Sequence, residues 1–169
     1  MRERSSRLDR LWAGWRSAYV GDADRTGGGS VFKRILDSGL PDRESGIVHR
    51  GETVFAILNR FPYGTGHLLV MPYREVADLE DLTPEESAEL WATVGDAVRG
   101  LKAAYQPDGF NIGVNLGEAG GAGVPDHLHV HVLPRWAADS NFMTSTAETR
   151  VLPEALTDSW RKITAAWPR

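Results

Sequence analysis

Apolar and polar residues alternate strictly between His127 and Val132, where Leu128, Val130 and Val132 are separated by histidines. Successive side chains of a β-strand point to opposite faces, so the aliphatic residues would share one face and the imidazoles the other. A helix would scatter the imidazoles around its circumference and leave no apolar stripe. The pattern therefore predicts a strand over residues 126–135, with one face in the core and a row of histidines facing a cleft.

Four shorter runs, rich in β-branched and aromatic residues, predict the remaining strands of a sheet. Two of them, residues 46–50 and 53–58, are separated by Gly51-Glu52, which is a hairpin signal. The other two cover residues 67–72 and 110–116. Together with the histidine-bearing strand they predict an antiparallel sheet of about five strands.

Three segments carry apolar residues at spacings of three and four, which is typical of helices packed against a core. They are residues 31–36, residues 84–105 and residues 153–167. The long one has a complete start signal, made of an N-cap residue, a proline in the first turn and a capping-box glutamate (Thr83, Pro84 and Glu86). An antiparallel sheet together with one long helix and a C-terminal helix gives α+β as the predicted fold class.

Length and composition restrict the function classes. A chain of 169 residues fits one domain with a sizeable core, and 41% hydrophobic with 25% charged residues is ordinary for a globular protein. A formal net charge of −4 argues against nucleic acid or an anionic membrane as partner. The absence of cysteine excludes disulfides and thiolate chemistry. No leader and no apolar run of membrane-spanning length is present, so we expect a cytoplasmic protein.

Three aligned imidazoles permit three interpretations. They could be a solvated strand face of no functional consequence. They could be metal ligands, because imidazole is a common neutral ligand and two histidines on one strand face can share a zinc ion. They could also perform nucleophilic and acid–base chemistry on an anionic substrate, with one imidazole attacking while its neighbours hold negative oxygens and transfer protons.

The sequence from His127 to Leu133 resembles the signature of the histidine triad (HIT) family, in which three histidines alternate with apolar residues. A second block, residues 58–72, is similar to the family's upstream segment, which has a polar residue followed eight positions later by Gly-His before an apolar strand. The resemblance covers roughly residues 30 to 136. The flanking segments 11–16 and 134–136 look like the bacterial branch that includes diadenosine polyphosphate phosphorylases and hydrolases.

The resemblance implies a HIT-like α+β fold with one long helix and a C-terminal helix. Its domain would comprise residues 30–136, preceded by an N-terminal arm and flexible linker, residues 1–29. A C-terminal loop and helix, residues 137–169, would pack on the same domain. Family members are typically homodimers, so a homodimer is expected here.

The resemblance also implies a role for each histidine. His129 would attack the α-phosphorus of a nucleotide and form a covalent nucleotidyl-histidine, with its Nδ1–H tied to an acceptor such as the carbonyl of His127. His131 would contact the α-phosphate and help to protonate the leaving group. His127 and His67 would complete the hydrogen-bonding rim. This scheme requires no metal and no other cofactor.

The nucleotide-binding residues implied by the resemblance lie in four segments. Apolar contacts to the base would come from the first helix and the second strand, a ribose contact from an amide, and phosphate contacts from the glycine-rich loop before the triad (Phe32, Ile35, Ile57, Asn59, Asn115 and Gly123). That loop lacks the side-chain donor that many relatives have at its end. Arg135, Arg74 and Lys33 are candidates for the distal phosphates.

Many bacterial relatives bind a structural zinc through Cys-x-x-Cys. Here the matching positions are Ser30 and Lys33, so no zinc is expected and His49 is interpreted as a surface histidine.

The expected substrate is a purine nucleotide, specifically a dinucleoside polyphosphate resembling diadenosine tetraphosphate. Whether water or inorganic phosphate accepts the nucleotidyl group stays open, as do the leaving group and the base preference. Three alternatives remain: an adenosine phosphoramidate hydrolase, a non-catalytic nucleotide-binding module, and a metal-dependent hydrolase.

Overall fold

The computed structural model describes residues 29–137, residue 139 and residues 154–169. Within these ranges one sheet of five antiparallel strands forms the centre of the protein. Its strands are β1 (Ile47–Arg50), β2 (Val54–Leu58), β3 (Leu68–Pro72), β4 (Gly109–Val114) and β5 (Val130–Arg135), in the spatial order β1-β2-β3-β5-β4. The prediction of an α+β fold around an antiparallel five-stranded sheet is confirmed. The predicted N-terminal arm, apart from residue 29, lies outside the described residues.

Strand β5 is shorter than its sequence pattern predicts. The alternation covers residues 126–135, but pairing with β3 and β4 begins only at Val130. Upstream of this point the backbone bonds elsewhere, because the amide of Leu128 donates to the carbonyl of Val76 at 2.6 Å. Leu128 is nevertheless buried. The extended segment before β5 therefore keeps the alternation without belonging to the sheet.

The helices are α1 (Val31–Asp37), α2 (Asp42–Ser45), α3 (Pro84–Tyr105) and α4 (Leu156–Ala166), with a single 3₁₀ turn at Leu79–Asp81. Helix α3 has the predicted bounds and the predicted capping box. Thr83 Oγ1 accepts from the Glu86 amide at 3.2 Å, and the Thr83 amide donates to Glu86 Oε2 at 2.9 Å. Helix α2 was not predicted, and α4 begins three residues later than the predicted start at 153.

One face of the sheet is covered by the two long helices. Aliphatic side chains of β1, β2, β3 and β5 meet those of α3 and α4 in the larger core cluster, which contains Val54, Leu68, Val130, Leu90, Leu101 and Ile163, each fully buried. Helix α4 is fastened to the sheet edge by the Trp160 indole, which donates to the carbonyl of Ile47 at 2.7 Å. The C-terminal helix thus packs against the sheet and α3.

The opposite face has a smaller apolar cluster and a smaller cover. It consists of Phe32, Ile47, Phe55, Ile57, Leu69 and Met71. Among the helices in the described ranges, the seven-residue α1 lies over it and contributes Phe32 at 6% exposure. In the sheet register His131 is directly opposite Leu69, and Val130 is opposite Val70. The histidines therefore extend from the incompletely covered face.

Candidate active site

A cleft opens beside α1 on the incompletely covered face, with about 430 Å³ of empty space including its mouth. It is lined by aromatic, aliphatic and imidazole groups and one amide: Phe32, Asn59, Phe61, Tyr63, Leu69, Gly123, Val124, His129 and His131. An apolar cleft with a few convergent polar groups is the usual form of a small-molecule site.

The protonation state of His129 follows from one hydrogen bond. Its Nδ1 lies 2.8 Å from the backbone carbonyl of His127. A carbonyl oxygen can only accept, so Nδ1 carries the proton and donates it. In a neutral imidazole the other nitrogen, Nε2, then holds a lone pair and is the nucleophilic atom. His129 is 5% exposed and forms part of the cleft wall.

A chain of hydrogen bonds fixes the tautomer of His131 in the same way. The backbone N–H of Tyr63 donates to Nδ1 of His67 at 3.0 Å, and Asn59 Nδ2 lies 3.4 Å from the same nitrogen. His67 must therefore carry its proton on Nε2, which is 2.9 Å from Nδ1 of His131. If both rings are neutral, His67 donates to His131 and leaves His131 with its proton on Nε2. His131 lines the cleft, and its donor atom Nε2 is buried in the structure.

His127 is placed differently from its two neighbours. It is fully buried and does not line the cleft, so only two of the three triad imidazoles face the cleft. Its Nε2 lies 2.9 Å from the carbonyl of Pro72, and its Nδ1 lies 2.6 Å from Oγ of Ser30. Burial lowers the pKa of His127 and favours the neutral ring.

Three of the six predicted nucleotide-binding residues line the cleft: Phe32, Asn59 and Gly123. Ile57 is buried in the smaller core cluster, and Ile35 packs against that cluster. The Asn115 amide donates to the carbonyl of Gly121 at 3.4 Å. None of these three residues lines the cleft. Their predicted roles in nucleotide binding stay predictions.

Four cleft residues were not predicted: Phe61, Tyr63, Leu69 and Val124. The aromatic residues lie in the Pro/Gly loop before His67, and Leu69 follows His67 at the spacing that puts both on one strand face. These signals were present in the sequence. What was missing was the pairing of β3 with β5, which places Tyr63 parallel to the ring of His131 with centroids 5.6 Å apart.

The predicted cationic phosphate ligands are each engaged in an ion pair. Arg74 bonds to Glu86, Arg135 to Asp139, and Lys33 to Asp37. His49 is partly exposed and stacks on Trp167 with ring centroids 5.0 Å apart, so this surface position also packs against the end of the C-terminal helix.

The residues at the positions where relatives carry zinc ligands do not suit that metal. The hydroxyl of Ser30 bonds to His127, and the ammonium of Lys33 is paired with Asp37. Zinc in proteins is bound by thiolate, imidazole or carboxylate, not by ammonium. Within the described ranges no three His, Asp or Glu side chains are grouped so that they could hold a metal ion.

Comparison with known families agrees with this geometry. The model of the HIT domain matches residues 41–138. The chain belongs to the HIT family. None of the helices in the described part of this HIT protein is long and apolar enough to cross a membrane.

Among characterised relatives, the chain is 43% identical to the AP-4-A phosphorylase of Mycobacterium tuberculosis (strain ATCC 25618 / H37Rv) over 167 residues, which cover 96% of this chain and 86% of the relative. It is 37% identical to the asymmetrical bis(5'-nucleosyl)-tetraphosphatase of Schizosaccharomyces pombe over 95 residues, or 56% of this chain and 52% of the relative.

Among solved structures, a zinc-bound histidine triad family protein from Mycobacterium smegmatis superimposes with a TM-score of 0.64 at 31% identity, covering 80% of this chain and 91% of the other. A HIT-like protein from Bartonella henselae has a TM-score of 0.67 at 24% identity, covering 85% and 99%. The second likeness shows the fold alone.

Proposed function

We propose that this HIT protein cleaves dinucleoside polyphosphates by nucleotidyl transfer through His129, with inorganic phosphate as the preferred acceptor. The observation that carries the proposal is the 2.8 Å contact between His129 Nδ1 and the carbonyl of His127. It presets the tautomer in which Nε2 is the nucleophile, on the wall of a cleft lined by apolar and polar side chains.

In the first step Nε2 of His129 attacks the α-phosphorus, and a P–N bond forms as the bond to the bridging oxygen breaks. With diadenosine tetraphosphate the leaving group is ATP, and the enzyme retains an adenylyl group on His129. In the second step an oxygen of inorganic phosphate attacks the same phosphorus, the P–N bond breaks, and ADP leaves. Water in place of phosphate would release AMP.

His131 supports both steps as a donor. Its Nε2 proton, set by the chain from Tyr63 through His67, can bond to an α-phosphate oxygen or protonate the departing oxygen. Preorganised donors directed at phosphoryl oxygens supply a large part of the rate in such reactions. The aromatic ring of Phe32 and the side chain of Val124 form apolar walls suited to a purine base.

We favour phosphate over water as the acceptor because the phosphorylase is similar to this chain over a greater share of its length than the tetraphosphatase is. Similarity to the AP-4-A phosphorylase runs over 96% of this chain, whereas similarity to the tetraphosphatase covers 56%. The longer match includes the segments outside the HIT domain. An enzyme for phosphorolysis must also bind a second anion, and Gly123, at the end of the glycine-rich loop, lines the cleft with a backbone amide that can serve this purpose.

The test is product analysis from diadenosine tetraphosphate with and without inorganic phosphate, for wild type and His129→Ala. We expect phosphate-dependent formation of ADP and ATP, a trapped adenylyl-protein in the absence of phosphate, and neither with His129→Ala. AMP and ATP formed regardless of phosphate would replace phosphorolysis by hydrolysis. Cleavage of adenosine phosphoramidate alone would overturn the substrate class, and unaltered turnover by His129→Ala would overturn the mechanism.

We also propose a homodimer formed at the β4 edge of the sheet. This strand is outermost in the sheet order, its residues 111–113 are exposed, and Ile112 is 46% exposed. An open edge with an exposed aliphatic residue is suited to pairing with a second copy. Light scattering should give twice the chain mass for wild type and a monomer for Ile112→Lys. A monomeric wild type would contradict the proposal.

A cytoplasmic location stays a prediction.

A further inference from the structure

We propose that Ser30 is a positioning residue for the nucleophile: its hydroxyl holds His127, and the backbone of His127 in turn holds His129. Ser30 lies outside the histidine-bearing strand and 97 positions before His127. It does not line the cleft.

The hydrogen bonds of Ser30 have defined directions. Its Oγ accepts from the amide of Lys33 at 3.2 Å and thereby caps helix α1. Its hydroxyl proton is then free to donate to Nδ1 of His127, 2.6 Å away. The backbone N–H of Ser30 donates to Glu75 Oε2 at 3.0 Å, and this second contact also holds Ser30 in place. Ser30 is 7% exposed, so its hydroxyl is held by protein groups.

The imidazole of His127 is fastened at both nitrogens. The carbonyl of Pro72 can only accept, so His127 Nε2 carries the ring proton and donates it across 2.9 Å. Nδ1 of the neutral ring must then accept, and the Ser30 hydroxyl is the donor. A ring fixed at both ends, and fully buried, leaves residue 127 little freedom to rotate. Its carbonyl is therefore held where it accepts from Nδ1 of His129.

Ser30 also links this chain of contacts to the wall of the cleft. The helix that it caps carries Phe32, whose ring centroid is 5.4 Å from that of His127 and 5.5 Å from that of His129. The Ser30 hydroxyl therefore helps to fix the position of Phe32 in the apolar wall relative to the nucleophile His129. Small displacements of a reacting group can cost about 100-fold in rate, so this positioning has catalytic consequences.

Three substitutions separate the capping role of Ser30 from its bond to His127. Ser30→Thr keeps a hydroxyl for both. Ser30→Gly removes the hydroxyl, but glycine is an acceptable N-cap and costs the helix little. Ser30→Ala removes both. The matched control is Ser38→Ala at the other end of α1, where the serine hydroxyl donates to the carbonyl of Ile35 at 2.7 Å and accepts from the amide of Leu40.

The experiment measures kcat and KM for diadenosine tetraphosphate phosphorolysis together with ¹⁵N–¹H spectra of the histidine rings. We expect Ser30→Gly and Ser30→Ala to lower kcat by roughly tenfold to 100-fold, Ser30→Thr to restore it, and Ser38→Ala to match wild type. In wild type the spectra should show His127 protonated on Nε2 and His129 protonated on Nδ1. In Ser30→Gly we expect both ring protons to exchange faster.

Two results would overturn the inference: a Ser30→Gly variant with wild-type kcat and unchanged ring signals, or a low kcat that Ser30→Thr does not restore. An increase in KM alone would assign Ser30 to the helix cap and would also count against it. The catalytic part rests on the proposed function, but the ring spectra do not. If wild type fails to cleave the substrate, the proposed function is wrong, while the spectra still show whether Ser30 orders His127 and His129.

Discussion

The two faces of the sheet use the same strands for opposite purposes. On one face, alternate residues such as Val130 and Val132 are sealed beneath α3 and α4 in an aliphatic core. On the other face, His129 and His131 occupy the intervening positions beside a helix of only seven residues. Among the described residues the helix over this second face is α1, which spans roughly 10 Å because a helix rises about 1.5 Å per residue.

The difference shows how stability and chemistry are separated within one strand. The covered face has a core of buried aliphatic side chains, which need no hydrogen bonds. The open face holds imidazole rings that hydrogen bonds orient. The partners of His129, His127 and His67 are backbone or hydroxyl groups (His127 O, Pro72 O, Ser30 Oγ and Tyr63 N–H), and the partner of His131 is the ring of His67. Substitutions on the open face should therefore act on turnover, and substitutions on the covered face on folding.

The largest effect is expected for His129→Ala on the open face. Loss of the nucleophile should lower kcat at least about 1000-fold, since a covalent route cannot proceed without it. The free energy of unfolding should fall by only about 1–2 kcal/mol, because one hydrogen bond to the His127 carbonyl is lost. Steady-state kinetics and urea denaturation measure the two quantities. If the variant were unfolded at 25 °C, the distinction between a face that serves turnover and a face that serves folding would be wrong.

Leu90→Ala is the matching change on the covered face. Leu90 is fully buried in the larger core cluster, so truncation leaves a cavity and should cost about 2–5 kcal/mol. The value of kcat per folded molecule should remain within about twofold of wild type, because Leu90 does not line the cleft. A kcat reduced in proportion to that of His129→Ala would show that the two faces are not independent.

A smaller effect should follow from Thr83→Ala at the start of α3. The change removes the side-chain half of the capping box, which typically costs about 1 kcal/mol. Thr83→Ser keeps the hydroxyl and serves as the control. Urea denaturation measures both, and kcat should not change in either. Equal stability of Thr83→Ala and wild type would show that the capping box does not stabilise α3 on this face.

The smallest effect concerns pH and the fastened ring of His127. Burial lowers its pKa in the folded protein, whereas the unfolded chain should have the ordinary histidine value of about 6.5. As pH falls through this value, the unfolded state takes up a proton before the folded state does, so the free energy of unfolding decreases until the folded pKa is reached. Denaturation at several pH values between 7 and 5.5, compared with His127→Gln, isolates the contribution. A pH dependence that is unchanged in His127→Gln would contradict the assignment.

Local patterns were sufficient for most of the fold. Period-two alternation placed β5, runs rich in β-branched and aromatic residues placed the other strands, and the Thr83 to Glu86 signal located the first turn of α3. Each of these signals depends on side chains a few positions apart. The start of β5 was less accurate, since the bond from Leu128 to Val76 joins segments distant in sequence. Helix α2 was missed because a four-residue helix has too few positions to show a period.

The sequence by itself determined the family, the antiparallel α+β fold and the identity of the histidines, because each is expressed in the spacing of residues along one segment. Only the tertiary structure decided which two histidines of the triad line the cleft, which one is buried behind it, and that Tyr63 and Ser30 hydrogen-bond to His67 and His127. These properties depend on hydrogen bonds between segments up to 97 positions apart. The pairing of β3 with β5 and the placement of α1 bring those segments together, and no local pattern specifies the distance between them.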